Sequence, residues 1–412
     1  MARTGRLCRC FNYMERLVSL FGLAVMAFLA WVLSVKRRRM NVRLILSGIA
    51  LQFLLAVLIL WTSPGQPVFS YARFFVTRIV GFSDAGSEFI FGSGFKEHFF
   101  AFSVLPTIIF VSSLMAVLFY LGVLQKIVEF MARVMVYVMD VSGSESLATA
   151  ANVFIGMAEA PLVIKPYIKT MTRSEIMAMM TGGMATISGA TLAAYAGLGA
   201  DAGHLLTASI ISAPAALVIA KIMFPEAEES LTKGVVKVVI PKEDSNILDA
   251  ACRGASEGAK LAVNVAAVLI CFIAFVALLN WILSVFPDVG GAPLSLERIL
   301  GWFCAPVAWV MGVEWKDAGT VGMLIGKKTI MNEFVAYIDL VKYKDVISQR
   351  SFTIATYALC GFANFGSIAI QIGGYGSLVP NRREDFAKLG VRAMIGGTLA
   401  AFMTATIAGV LI

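Results

Sequence analysis

The sequence predicts an all-α protein that crosses a membrane many times. Two observations point to this fold class. Hydrophobic residues make up 59% of the 412 residues and charged residues only 15%, whereas an ordinary soluble domain has about 25% charged residues. The apolar residues are also collected in runs of about 20, the length that an α-helix needs to span a bilayer. We therefore expect a multi-pass protein of the cell membrane, either an inner or a plasma membrane.

Eight apolar runs are long enough to form full transmembrane helices. Short polar or basic stretches separate them, such as the cluster Lys36-Arg37-Arg38-Arg39 after the first run. The predicted spans are residues 17–35, 44–63, 99–123, 176–198, 204–224, 261–285, 352–372 and 389–412.

The remaining stretches have a different character. Residues 68–98 alternate aromatic and charged side chains, which predicts an amphipathic helix along the membrane interface. Residues 225–258 are rich in charge and predict an aqueous loop with a short amphipathic helix. Residues 127–170 and 300–337 each contain two apolar arms, too short for ordinary spans, around a polar tip. We interpret these two stretches as re-entrant helical hairpins.

Each predicted tip carries a glutamate, Glu159 in the first and Glu333 in the second. A carboxylate at bilayer depth costs roughly 2.5–3.5 kcal/mol, so it is usually kept for function. Each hairpin is followed by a span with a cluster of small and polar residues, at 182–189 and at 360–367. Paired interruptions of this kind are typical of inverted repeats with a binding site near the middle of the membrane. The pattern predicts a transporter whose polar site is built from both halves.

Five regions follow from this interpretation. They are a polar N-terminal extension, the first spans with the interfacial helix, a first hairpin with the helices that follow it, a loop with the next span, and a second hairpin with the helices that follow it. Their predicted boundaries are residues 1–15, 16–125, 126–224, 225–298 and 299–412.

Other classes of function have less support in the sequence. The net charge of +8 comes from basic residues at the ends of apolar runs, as in the positive-inside pattern, so we expect no nucleic-acid partner. The six cysteines lack zinc spacing, and the two histidines, His98 and His204, lie in no catalytic arrangement. We expect no catalytic residue, no bound cofactor and no enzyme activity. A hairpin-containing transporter for another small polar solute and, with less support, an intramembrane transferase stay open as alternatives, and paired broken repeats favour alternating access over a channel.

Three segments resemble the concentrative nucleoside transporter family, in its bacterial, eight-span form. The similarity extends from about residue 40 to the C-terminus. The segments are Gly156-x-x-Glu159-Ala160-Pro161-Leu162, Asn332-Glu333-Phe334-Val335-Ala336-Tyr337 and Tyr357-Ala358-Leu359-Cys360-Gly361-Phe362-Ala363-Asn364-Phe365. The resemblance implies a homotrimer in membrane lipid, in which a transport domain carries the site across the membrane like an elevator. It also implies a nucleoside substrate, with sodium or sometimes a proton as the coupling ion.

The resemblance further implies roles for individual residues. It implies that the first tip contacts the nucleobase. It also implies that the second tip and the second broken helix contact the ribose. The substrate-binding residues would be Gly156, Met157, Ala158, Glu159, Thr191, Glu333, Phe362, Asn364 and Ser367. The sodium ligands would be Asn152, Ile155, Thr186 and Ile187, with the isoleucines acting through backbone carbonyls.

The chemistry of these residue types suits those roles. One carboxylate accepts hydrogen bonds from both hydroxyls of a vicinal diol, which fits Glu333 and ribose. One cation moving down 100 mV supplies about 2.3 kcal/mol, and a tenfold sodium gradient adds about 1.4 kcal/mol. Together these allow roughly 500-fold accumulation of a neutral nucleoside. The neutral oxygens of Asn152 and Thr186 favour sodium over a proton.

The sequence departs from many relatives at one point. They carry Gln followed by Thr or Ser after the first-tip glycine, whereas this chain has Met157-Ala158. The base side of the site thereby becomes less polar and more adaptable, because Met fills irregular space. In the family, a Gly-Met pair here is associated with purine preference, so we expect purine nucleosides to be favoured over uridine.

Overall fold

The computed structural model describes residues 2–63, 65–98, 100–157, 159–234, 244–289, 291 and 293–412, with side chains described from residue 14 onward except at 68 and 72. Within these residues the chain forms seventeen α-helices and no extended sheet. The all-α class is therefore confirmed. The first five helices are α1 Ala2–Val32, α2 Val42–Leu60, α3 Gly65–Phe91, α4 Leu105–Tyr120 and α5 Val123–Met139.

Helix α3 covers most of the stretch expected to be interfacial. Several of its aromatic residues are strongly exposed, including Phe74, Phe82 and Phe89, while its other face contacts α2, α4, α9 and α10. It is not among the helices that are apolar enough to span a membrane. The polar extension expected at residues 1–15 is not a separate element, because α1 begins at Ala2 and continues into the first span.

The next helices follow the predicted order of a helix pair and then a broken helix. They are α6 Gly143–Asn152, α7 Ala160–Ile168, α8 Arg173–Ala185, α9 Gly189–Leu198 and α10 Ala202–Met223. Helices α6 and α7 contact each other across the tip. Helix α5 is a separate amphipathic helix, so the arms of the first pair are shorter than the predicted stretch of residues 127–170.

A buried ionic cluster fixes the starts of α6 and α8. Each helix begins with a capping box, Ser142 with Glu145 and Thr172 with Glu175, in which side chain and backbone bond reciprocally. Lys221, near the end of α10, places its Nζ 2.7 Å from a Glu145 carboxylate oxygen. The three charged groups are almost fully buried. The cluster fastens the first helix pair to α8 and α10.

The second half of the chain contains seven more helices. They are α11 Ile247–Leu283, α12 Leu296–Val310, α13 Trp315–Ile330, α14 Glu333–Lys342, α15 Gln349–Leu359, α16 Phe365–Leu378 and α17 Arg383–Leu411. Helices α13 and α14 form the second helix pair, with its tip at Met331 and Asn332, and α15 and α16 form the second broken helix.

Two details of the sequence prediction are wrong in this half. In the described part of residues 225–258, the expected short amphipathic helix is not a separate element, because Asn246 caps α11 and the helix continues into the apolar span. Residues 235–243 lie outside the described residues. The stretch 300–337 is not two arms but three helices, because α12 meets α13 at an angle of 117°.

Among the described residues, seven helical segments are long and apolar enough to span a membrane, and an eighth is added if the bent pair α12–α13 is one span. The interrupted span expected at residues 352–372 is divided between α15 and α16. Helices α8, α10 and α17 are mostly buried at the centre, whereas α11 is the most exposed of the candidate spans. The seven segments are Met14–Val32, Val42–Leu60, Phe100–Tyr120, Arg173–Leu198, Ala202–Met223, Ile247–Leu283 and Pro380–Leu411.

Candidate functional site

The two broken helices have the same local design. In the first, α8 ends at Ala185, its C-cap Thr186 has an extended backbone, and Ser188 caps the start of α9 by accepting a hydrogen bond from Thr191 N. In the second, α15 ends at Leu359 with Cys360 as its C-cap, and Asn364 caps the start of α16 by accepting a hydrogen bond from Ser367 N. Each break thus exposes a helix C-terminus and a new N-terminus inside the protein, and such termini carry partial charges and unused backbone groups.

The two breaks lie directly against each other. Gly361 in the second break has φ +154°, which favours glycine. A Cβ at this position would lie 2.8 Å from the carbonyl oxygen of Met184 and 2.9 Å from that of Ala185, both at the end of α8. Only a residue without a side chain allows this approach, so Gly361 brings the polar ends of both broken helices together.

Glu333 is buried beside these breaks at the first position of α14. Its two carboxylate oxygens accept hydrogen bonds of 2.9 Å from Tyr195 Oη and 2.9 Å from Asn364 Nδ2. The N-terminus of α14 also favours the negative charge. Because Tyr195 belongs to α9 in the first half of the chain, both halves contribute to this group.

Tyr195 was not predicted from the sequence. Its ring stacks on Tyr337 with centroids 4.3 Å apart and meets Phe334 edge to face at 5.2 Å. Both partners lie on α14, so the aromatic contacts hold α9 against the helix that begins with Glu333. A tyrosine in an apolar span carries no signal that its hydroxyl serves a distant carboxylate.

The first tip packs against the first break. Gly156 has φ +91°, and a Cβ there would lie 2.8 Å from the Cβ of Ser188. The backbone of Gly189 donates to the carbonyl of Phe154 at 2.9 Å. The tip therefore requires glycine at position 156 for both its backbone conformation and its close packing.

The predicted sodium ligands are gathered where α6, the tip and α8 meet. Thr186 Oγ1 donates to the carbonyl of Asn152 at 3.2 Å and to that of Gly182 at 2.9 Å. The amide nitrogen of Asn152 donates to Ala148 O, while its Oδ1 is buried with no hydrogen-bond partner among the described residues. The carbonyl of Ile187 accepts a long hydrogen bond, 3.5 Å, from Ser209 Oγ. A buried oxygen without a donor is suited to a cation.

Glu159 lies on the wall of a cavity of about 410 Å³ between the first tip and helices α4, α5 and α11. Its side chain is exposed to that cavity. Arg253 also lines the cavity and binds Asp244 at 2.7 and 2.8 Å and Glu257 at 3.2 Å. The hydrogen bond from the Arg253 guanidinium lowers the pKa of Asp244, which precedes α11. Glu333 is not among the residues that line this cavity.

The other predicted substrate residues have varied positions. Met157 is buried, and its Sδ lies 3.9 Å from Nε2 of Gln371 on α16. Thr191 Oγ1 lies 2.8 Å from Ser188 Oγ. Ser367 is buried beside Asn364, and Phe362 is half-buried in the second break. Ala158 lies outside the described residues.

The described part of the chain contains no cluster of side chains typical of a permanently bound metal ion. No group of three or more His, Cys, Asp or Glu side chains there is placed to hold a metal ion. The cation ligands that the site offers are neutral oxygens at helix ends. Buried polar groups at two opposed helix breaks, inside a protein with many apolar spans, are typical of a secondary transporter.

Comparison with known families identifies which transporter class this is. The chain matches the models for the C-terminus of the Na⁺-dependent nucleoside transporters over residues 204–409, for their N-terminus over residues 21–94, and for a nucleoside recognition (Gate) domain over residues 101–202. The chain therefore belongs to the Na⁺-dependent nucleoside transporter family. It is a multi-pass membrane protein, not an enzyme.

Similar proteins from other organisms support this assignment. "Solute carrier family 28 member 3" of Homo sapiens is 43% identical over 96% of this chain. The chain spans about three fifths of the length of that vertebrate protein and its counterparts. An "uncharacterized transporter" of Haemophilus influenzae is 41% identical, over 97% of this chain and 98% of its own length.

Solved structures agree with the fold. The transporter CNTnw in an inward-facing, substrate-bound state has a TM-score of 0.91 to this chain, with 39% identity over 97% of this chain and 98% of that one. A CNTnw variant in an outward-facing state has a TM-score of 0.92, with 39% identity over 97% and 99% of the two chains.

Proposed function

We propose that this protein is a sodium-coupled symporter that imports nucleosides. The observation that carries the proposal is the buried carboxylate of Glu333, which Tyr195 and Asn364 hold at the junction of the two broken helices. Each carboxylate oxygen accepts more than one hydrogen bond. The carboxylate can therefore accept both hydroxyls of a ribose while it keeps its two protein donors. Asn364 and Ser367 would contact the same sugar, and Phe362 would pack against the ligand.

Sodium is the coupling ion that the first break suits best. Asn152 Oδ1 is a neutral, buried acceptor without a donor in the part of the chain that the structure describes. The hydroxyl of Thr186 and the backbone carbonyls of Ile155 and Ile187 complete the proposed ligand set. The name of the relative "Sodium/nucleoside cotransporter 1" of Rattus norvegicus, which is 41% identical to this chain, supports the same choice over a proton.

Replacing Asn152 with alanine is expected to raise the sodium concentration at which uptake is half-maximal by about tenfold or more. Loss of one interaction with a charged group is worth about 1.5–3 kcal/mol. Uptake of labelled nucleoside as a function of sodium concentration measures this effect. Thr186→Ser, which keeps the hydroxyl, is the matched control. An Asn152→Ala protein with wild-type sodium dependence would contradict the assignment.

The base side of the proposed site is formed by the first tip. Glu159 faces the cavity, and Gly156, Met157, Ala158 and Thr191 complete this side. A nucleobase edge with N–H groups suits the Glu159 carboxylate. The thioether of Met157 adapts its shape to a larger ring, which supports a preference for purine nucleosides.

Replacing Met157 with glutamine is expected to shift the ratio of uridine to adenosine uptake about fivefold towards uridine. The reason is that one neutral hydrogen bond contributes about 1 kcal/mol. Competition between labelled and unlabelled nucleosides measures the ratio. Met157→Leu keeps an apolar side chain and should preserve the wild-type ratio. Better competition by uridine and cytidine than by adenosine and inosine in the wild type would refute the purine preference.

Alternating access is proposed to follow the elevator type. Inward- and outward-facing structures of CNTnw are both similar to this chain, which is consistent with two arrangements of one fold. The mobile part would contain the two helix pairs, as re-entrant hairpins, and the two broken helices, within residues 126–224 and 299–412. The scaffold would comprise residues 16–125 and α11, whose exposed apolar side chains, such as Ile270 and Trp281, are suited to lipid or to the neighbours in a homotrimer. The helix pairs and broken helices then form two inverted repeats within an eight-span fold.

Uptake into proteoliposomes tests the proposed function. Purified protein should accumulate labelled adenosine when an inward sodium gradient is imposed and should not do so when choline replaces sodium. Empty liposomes provide the background. Equal uptake in sodium-free buffer would refute sodium coupling, and the absence of nucleoside uptake under every gradient would refute the symporter.

A further inference from the structure

The chain between α3 and α4 contains an uncommon turn. Residues Phe100–Val104 form a π-helical turn directly before α4, and such turns are rare and frequently found at functional sites. Thr107 Oγ1 donates to Ser103 O at 2.8 Å and lies 2.6 Å from Ser83 Oγ on α3. Thr107 and Ser83 are both buried. These side-chain hydrogen bonds fix the π-turn against α3.

Two aromatic rings of this π-turn contact different helices. Phe100 meets Phe334, in the first turn of α14, edge to face with ring centroids 5.6 Å apart. Phe102, two residues further on, stacks on Phe91 of α3 at 4.5 Å. Aromatic pairs with these separations and orientations attract each other. Phe100 thus connects the π-turn to α14, and Phe102 connects it to α3.

Phe334 in turn contacts the tyrosine that binds Glu333. Its ring meets the ring of Tyr195 edge to face at 5.2 Å, and Tyr195 donates its hydroxyl to the Glu333 carboxylate at 2.9 Å. All three side chains are buried. Close-packed interiors transmit a displacement of one group to its neighbours. The position of the Phe334 ring therefore affects the tyrosine that orients the Glu333 carboxylate.

The contact between Phe100 and Phe334 joins the two proposed parts of the protein. Phe100 belongs to the proposed scaffold, whereas Phe334, Tyr195 and Glu333 belong to the proposed mobile part. The π-turn and α4 also contact α9 of the mobile part. In the proposed elevator motion the mobile part moves past α4. Phe100 then packs against Phe334 in the arrangement described here and separates from it in the other.

We propose that Phe100 is a positioning residue for sugar recognition, through which the scaffold strengthens the binding of ribose to Glu333 in one arrangement of the transporter. Phe100 holds Phe334 against Tyr195, and Tyr195 holds the carboxylate in the orientation that accepts the ribose hydroxyls. When the mobile part moves away, this contact is lost and the sugar is bound less tightly. The inference rests on the proposed binding of nucleoside at Glu333 and adds a residue from the scaffold.

Replacing Phe100 with alanine tests the inference through sugar discrimination. Equilibrium binding of adenosine and of 3′-deoxyadenosine, which lacks one hydroxyl of the diol, to the purified protein gives the ratio of the two affinities. The Phe100→Ala protein should bind adenosine about two- to tenfold more weakly, the range that one aromatic pair contributes. Its affinity for 3′-deoxyadenosine should change less, so the ratio falls. A folded Phe100→Ala protein with the wild-type ratio would overturn the inference.

Phe102→Ala is the matched control, because it removes a ring of the same π-turn that stacks on α3. It should keep the wild-type ratio of the two affinities, whatever its effect on thermal unfolding. A fall in the ratio equal to that of Phe100→Ala would show general damage to the turn and overturn the inference. If the wild-type protein itself binds the two nucleosides equally, the ribose role of Glu333 fails, and the proposed site fails with it.

A double variant tests whether Phe100 acts through Tyr195. Adding Phe100→Ala to Tyr195→Phe should lower the ratio no further, because the hydroxyl that Phe100 positions is already absent. Equal losses in the two backgrounds would overturn the inference. If Phe100→Ala does not fold, Phe100→Leu takes its place, since leucine keeps apolar volume and removes the aromatic edge. A smaller fall in the ratio is then expected, and an unchanged ratio would overturn the inference.

Discussion

Replacing Glu333 with glutamine is expected to weaken nucleoside binding about 100-fold and to abolish measurable uptake at low substrate concentration. The carboxylate accepts hydrogen bonds from Tyr195 and Asn364 and is proposed to accept two more from the ribose. Glutamine replaces one acceptor oxygen with an NH₂ group that faces donors. Hydrogen bonds to charged groups are worth about 1.5–3 kcal/mol each, and a mismatched buried donor costs a similar amount.

Substrate analogues make this test specific to the sugar. The wild-type protein should bind 3′-deoxyadenosine much more weakly than adenosine, because one hydroxyl of the diol is missing. The Glu333→Gln protein should discriminate little between the two, since the acceptor that senses the hydroxyl has been lost. Equilibrium binding to purified protein measures both affinities.

Two control variants separate the effect from general damage. Glu384→Gln removes an exposed carboxylate that pairs with Lys388 and should leave binding unchanged. Tyr195→Phe removes one donor to Glu333 and should reduce binding by a smaller factor, about tenfold or less. Normal nucleoside uptake by the Glu333→Gln protein would refute the ribose role.

Replacing Gly361 with alanine is expected to destabilise the protein by roughly 2–6 kcal/mol and to remove transport. A non-glycine residue at such a backbone angle costs about 1–3 kcal/mol, and overpacking adds about 1–3 kcal/mol. The added methyl would lie under 3 Å from the carbonyl oxygens of Met184 and Ala185. Thermal unfolding in detergent and uptake by the same preparation measure the two effects.

Gly373 is the matched control for this substitution. It lies within α16, is exposed, and a Cβ there would have no other atom within 4 Å. Alanine in a helix interior is favoured over glycine by about 0.5–1 kcal/mol, so Gly373→Ala should be neutral or slightly stabilising. A Gly361→Ala protein that unfolds at the wild-type temperature and transports normally would contradict the close contact between the two breaks.

Hydrophobic runs located the spans well, because burial in lipid imposes the same length and composition on any sequence. They failed where a helix extends beyond the apolar region. The N-cap at Asn246 and the ion pairs of Arg253 with Asp244 and Glu257 stabilise polar turns at the start of α11. Those turns have the composition of a loop. Hydropathy also does not reveal that α12 and α13 meet at a sharp angle.

The site was predicted unevenly for a similar reason. Glu159, Glu333 and the interrupted spans are conspicuous in the sequence because charge and helix breakers are rare at bilayer depth. The structure brings Glu333 and Asn364 together, whereas Glu159 lines a cavity whose lining does not include Glu333. Tyr195 and the buried donor on Gln371 have no such signal, since their roles depend on which helices pack together. Whether the predicted residues bind nucleoside and sodium stays a prediction.

The cluster of Glu145, Glu175 and Lys221 sets a limit on which parts of the protein can separate during a transport cycle. Breaking a buried ion pair costs about 3–5 kcal/mol. One sodium ion releases roughly 3.7 kcal/mol in total under a 100 mV potential and a tenfold gradient, and part of that drives the uphill movement of the nucleoside. The driving force of a single turnover is thus too small to open this cluster repeatedly. In the proposed elevator motion, the sliding interface therefore lies elsewhere, and α6 and α10, which the Glu145–Lys221 ion pair joins, move together.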